Sequence, residues 1–156
     1  MDEFFYRRCA QDRDLLLARV RHEVPIHPPG RALLRVAELL GLRVAGPNPS
    51  ADEARAALAH RLGHQRLHGE GPWSPDQQQE AATYARVFLL PRRGILGCPR
   101  LAPILNAHGG RQRWEAVTAM AAAWWVPPAM LTARLRELGV PGLGPSDGLK
   151  RPVQEC

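Results

Sequence analysis

Apolar positions recur at helical spacing along most of the chain. Phe4, Phe5, Cys9, Leu15, Leu16, Ala18 and Val20 form an imperfect 3.6-residue stripe that predicts a helix over 2–23. Pro25, Pro28 and Pro29 then predict an extended link, because proline removes a donor and restricts the residue before it. GRALLRVAELL over 30–40 predicts a second helix, with Gly41 as its stop. Leu42–Ala45 reads as one short strand, and Gly46-Pro47-Asn48-Pro49 as a turn. Ser50 and Glu53 fit a capping box that opens a helix over 51–68. Gly69 and Gly71 end it, and Ser74, Pro75 and Gln77 open the next, over 75–90, which Pro91 stops. Residues 91–98 read as a loop and 99–107 as a short helix. A helix over 111–125 follows, then one over 128–138 that begins at Pro127-Pro128. The expected fold is mainly α, with at most a small remnant sheet, and 140–156 reads as a loose tail.

Composition narrows the class. The chain has 156 residues, the size of one domain, and 45% hydrophobic against 23% charged residues excludes disorder over most of it. No apolar run approaches the ~18 residues of a membrane span. The opening MDEFFYRRCAQDRD carries acids and lacks a signal-peptide core, so the expectation is a cytoplasmic location and no membrane partner. Cys9, Cys98 and Cys156 lie far apart with no CxxC pair, which predicts free thiols and argues against a thiolate zinc site. Cys98, between Gly97 and Pro99, has no activating neighbour and reads as inert.

The net charge is +6, and Lys150 is the one lysine among 21 basic residues. Such a balance suits nucleic acid or an acidic partner, but the arginines are spread rather than blocked. Residues 114–138, with Arg134 and Arg136, invite a helix-turn-helix reading. The two prolines in the turn and the run AMAAAWW predict core instead, with Trp124 and Trp125 in the core and at its rim.

The chemistry lies in Ala59-His60-Arg61-Leu62-Gly63-His64. His60 and His64 are four apart on a predicted helix, so both imidazoles lie on one face, where they could reach one metal ion. Spacing alone also fits two ordinary histidines on an amphipathic helix. Zinc needs a third protein ligand and, for catalysis, an open position for water. Glu80, near the start of the next helix, is a candidate third ligand if that helix folds back on the first. It reads otherwise as a solvated first-turn carboxylate favoured by the helix dipole. His68 drifts off the shared face and is expected to pack on the neighbouring helix. His108, beside two glycines, reads as a loop histidine or an oxyanion donor.

ALAHRLGHQRLH over 57–68 resembles the signature helix of the ImmA/IrrE metallopeptidase family, with Ala59, His60, Leu62, Gly63, His64, Leu67 and His68 in place. EAATYARVFLLP over 80–91 resembles that family's next helix through Glu80, Ala81, Tyr84, Ala85, Leu89, Leu90 and Pro91. PIHPPGRALLRVAELLGLRV and MAAAWWVPPAMLTARLRELGV resemble the flanking segments, so the likeness covers 25–140. It implies a zincin-like α-rich domain over those residues, an added N-terminal helix over 1–24, and a flexible tail over 141–156. It also implies zinc as cofactor, with His60, His64 and Glu80 as metal ligands. Relatives typically act on helix-turn-helix transcriptional repressors, which implies such a repressor as partner.

Two departures from the family pattern stand out. Where the family has a glutamate after the first histidine, as general base, this chain has Arg61. A guanidinium stays protonated and offers donors only, so it cannot activate water. Glu70, in the following loop, is a weak substitute base. Pairing of Arg61 with Glu80 and loss of the metal is a further outcome. The second departure is length: two strands that usually precede the signature helix, an edge for an extended substrate, have no room here. The expectation is therefore a regulatory pseudoenzyme that binds a repressor without efficient proteolysis. The alternatives are an active zinc endopeptidase using a different base, and a basic nucleic-acid-associated module without metal.

Overall fold

A computed structural model describes residues 1–23, 29–42 and 51–143, and the secondary structure of those residues is all α. Among the described residues, eight helices follow in order: α1 (Glu3–Val20), α2 (Pro29–Leu39), α3 (Ala51–Leu67), α4 (Pro75–Leu89), α5 (Arg92–Leu96), α6 (Leu101–Leu105), α7 (Gly110–Trp124) and α8 (Pro128–Glu137). No strand occurs among the described residues. The strand expected at Leu42–Ala45, the turn at 46–49 and the capping box of Ser50 fall on or run into 43–50, outside the described residues.

The cap expected before α4 is formed in full. The Ser74 hydroxyl accepts from Gln77 N, and the Gln77 side chain accepts from Ser74 N, with Pro75 in the first turn. The segment 91–98, expected to be a loop, instead contains α5. Pro91 closes α4 and also starts the next turn, since its fixed φ suits a helix entry and its carbonyl accepts from Ile95 N. Ile95 is buried beneath that turn, and Gly94 lets Trp124 approach: a Cβ there would lie 2.8 Å from its ring.

α4 is the centre of the molecule, packed against α1, α2, α3 and α8. Ala81, Thr83, Tyr84, Ala85, Val87, Phe88 and Leu89 are buried, so its second half is covered on all sides. α1 joins the same core through Cys9, Leu16, Leu17 and Val20. Its stripe is not the expected one: Phe4 and Leu15 face solvent, and Arg13 turns inward. The reason lies at the end of α4, where carbonyls have no helical partner. Arg13 Nε donates to Phe88 O at 2.9 Å, and Arg134 Nε donates to Leu90 O at 3.0 Å. Arg134 is thus buried and engaged, not presented as a groove-reading side chain. Trp124 and Trp125 are half-buried, and Trp125 ends α7 in the left-handed region at φ 57°. Arg55 holds that turn: its Nε donates to Trp125 O at 3.0 Å. Past α8, Leu143 is buried and Gly142 O accepts from Arg113, so the tail is anchored at its start; 144–156 lie outside the described residues.

Asp12 joins α1, α3 and α4. Its carboxylate accepts from Arg66 Nε at 3.1 Å and from the Tyr84 hydroxyl at 2.5 Å. Burial pushes the Asp12 carboxyl up, but the bonds from Arg66 and Tyr84 outweigh it and hold the group below its ordinary value. A folded-state value below the unfolded one stabilises above about pH 3.9, and the contribution is lost as pH falls through the folded value. Asp12→Ala is expected to cost about 1–3 kcal/mol at neutral pH, because it leaves the buried Tyr84 hydroxyl without its acceptor. Urea unfolding at neutral pH and again at about pH 3 should show the gap between variant and wild type narrowing in acid.

Candidate functional site

α3 and α4 meet at Gly63. A Cβ on Gly63 would lie 2.9 Å from Ala81 O and 3.1 Å from Tyr84 Cβ, so the missing side chain sets the approach of the two helices. That approach brings the histidine face of α3 against the first turns of α4. His60 and His64 lie together as the spacing predicts, with ring centroids 4.8 Å apart, and His68 follows 5.5 Å beyond His64.

The group that meets the pair is Gln78. His60 Nε2 donates to the Gln78 backbone carbonyl at 3.3 Å, and His64 Nε2 donates to the Gln78 side-chain oxygen at 3.1 Å. Glu80 does not join them. Its carboxylate lies 3.4 Å from His68 Nε2, without hydrogen-bond alignment. Residues two apart on a helix are rotated by roughly 160°, so Gln78 and Glu80 flank opposite edges of α4's buried stripe. The packing at Gly63 brings the Gln78 edge to His60 and His64.

His64 is the enclosed member. Trp73 stacks on it with ring centroids 3.8 Å apart and planes 15° from parallel. Trp73 is positioned by the turn between α3 and α4, where its Nε1 donates to Gly69 O. Burial pushes the His64 pKa down, the Gln78 bond pushes it up, and His60 and His68 lower it further; the net shift is down. The neutral imidazole is favoured. With Nε2–H given to Gln78, Nδ1 is left buried and without a hydrogen-bond partner.

This donor set does not fit a three-ligand zinc site. Among the described residues, no three His, Cys, Asp or Glu side chains converge as metal ligands do. The third corner, the Gln78 side chain, is an amide rather than a carboxylate. Arg61 and Glu70 are exposed, Arg61 on α3 and Glu70 in the turn after it. His108 is exposed, and its backbone N–H donates to Gln112. Cys98 is half-buried. Burial raises the thiol of Cys9 to about 11, which keeps it protonated.

Sequence reasoning passed over Gln78, Trp73 and Asp12. Gln78 had a signal: it lies three residues before Ala81 and extends the apolar stripe of Ala81, Ala85 and Phe88. Trp73 and Asp12 had none, since their partners are set by tertiary packing. Compared with known proteins, the chain matches no protein-family profile, no curated sequence and no solved structure.

Proposed function

We propose that this protein is a non-proteolytic, regulatory relative of the ImmA/IrrE metallopeptidases that acts by binding a helix-turn-helix repressor. The observation that carries the reading is Gln78 opposite His60 and His64: an amide stands where a zinc peptidase needs a carboxylate. Arg61 supports it, because a guanidinium in place of the general base cannot take a proton from water. The zincin-like descent rests on the resemblance of 57–68 and 80–91. On this reading His60 and His64 form a residual two-imidazole site of low zinc affinity. Hydrolysis by another base would need a carboxylate beside the pair, and Glu70, the candidate, is an exposed residue of the turn after α3.

The test is co-purification with a helix-turn-helix repressor encoded beside the gene, followed by intact-mass spectrometry with and without added zinc. The expected result is a stable complex with the repressor uncut in both conditions. Zinc-dependent cleavage that His60→Ala abolishes would overturn the pseudoenzyme reading in favour of an active peptidase. A failure of the two proteins to associate would overturn the binding reading.

A further inference from the structure

The arginines that close α4 also line an open cleft of about 820 Å³ where α1, α5 and α8 surround the end of α4. Five arginines line it, Arg7 and Arg13 from α1, Arg92 and Arg93 from α5, and Arg134 from α8, together with three carboxylates, Glu3, Asp14 and Glu137. Arg13 and Arg134 are 9% and 5% exposed and are fixed by their bonds to Phe88 O and Leu90 O. They form a rigid floor whose conformational cost is already met in the fold, each paired with a carboxylate of the same lining, Asp14 and Glu137.

The charges do not balance. Arg7 lies 3.6 Å from Glu3, Arg13 is 2.8 Å from Asp14, and Arg134 is 3.0 Å from Glu137. Glu137 is shared further, with Arg86 at 2.6 Å. Among the described residues, Arg92 and Arg93 have no acidic group within ion-pair distance, and both are exposed at the cleft. Two positive charges are therefore unneutralised at the mouth of a concave site. Tyr6 adds an aromatic wall, with the Arg134 guanidinium 5.6 Å from its ring centre.

We propose that this cleft binds a phosphorylated small molecule, with Arg92 and Arg93 taking its phosphoryl oxygens above the floor of Arg13 and Arg134. Guanidinium forks match phosphoryl groups in two-pronged hydrogen bonds, and two spare cations suit a dianion. The volume lies within the roughly 300–1,000 Å³ of small-ligand pockets, and a concave pocket of that size favours a compact ligand over a nucleic-acid duplex. The apolar share of the lining, Val87 and Leu138 with Tyr6, offers a surface for a ring carried by the same ligand. This site is separate from the histidines of α3 and does not depend on the function proposed for them.

The experiment is isothermal titration of the full chain with inorganic pyrophosphate and with ADP at physiological salt. The expected result is saturable binding of one ligand per chain, weakened about 10-fold or more by Arg92→Ala/Arg93→Ala. The control is Arg19→Ala/Arg100→Ala, which removes the same charge from exposed positions outside the cleft and should leave binding unchanged. Circular dichroism melts check that both variants fold. Binding of both probes supports a phosphoryl site, and tighter binding of ADP adds a base-stacking wall. Absence of saturable binding by either probe at millimolar concentration overturns the proposal. So does equal weakening by the two double variants, which would mark unspecific attraction to a basic protein.

Discussion

Gln78→Glu combined with Arg61→Glu is expected to raise zinc affinity about 100-fold or more over the wild type. The substitution at 78 keeps the side chain's length and shape and replaces an amide oxygen by a carboxylate. Gln78 Oε1 already lies 3.1 Å from His64 Nε2, so the new carboxylate needs little movement to complete a two-histidine, one-carboxylate set. Arg61→Glu removes a positive charge from the residue next to His60 and supplies a group able to take a proton from bound water. Titration with a chromogenic zinc competitor reads the affinity. Gln78→Glu alone should account for most of the gain, and Glu80→Gln in the same background should leave it intact, because Glu80 faces His68. If Glu80→Gln instead abolishes the gain, the carboxylate that matters is Glu80, and the placement of Gln78 loses its meaning.

Gly63→Ala is expected to destabilise the fold by about 1–3 kcal/mol, and Gly63→Leu by more. Alanine favours a helix over glycine by up to ~1 kcal/mol, so propensity alone predicts the opposite sign. The contact decides: a Cβ would sit 2.9 Å from Ala81 O and 3.0 Å from Ala81 Cα, and backbone atoms of a central helix cannot step aside as a side-chain tip can. α4 would have to withdraw from α3 along the face that carries His60, His64 and Gln78. Thermal melts report the loss, at about 2–4 °C per kcal/mol for a chain of this size. An unchanged or raised melting temperature would mean that the crossing is looser than its geometry implies.

The elements most legible in the sequence were those with local causes. α4 starts where Ser74, Pro75 and Gln77 say it should, because a capping box depends on four consecutive residues. α3 is correctly bounded at its end by Gly69, which takes φ 76°. Pro91 reads locally as a stop, yet the same proline follows α4 and begins α5. On α1, Phe4 and Leu15 read as core by hydrophobicity, yet Arg13 takes the inward place. No local rule could anticipate that the end of α4 would arrive there with carbonyls needing donors.

The sequence by itself determined where most of the helices run and that two histidines of α3 share a face, since both follow from backbone period and capping chemistry within a few residues. Only the tertiary structure decided which group meets those histidines. That choice turns on the rotation of α4 about its own axis, where Gln78 and Glu80 lie on opposite flanks of one apolar stripe. The rotation is fixed by the close backbone contact of Gly63 with Ala81, a pairing between residues distant in the chain that no periodicity encodes.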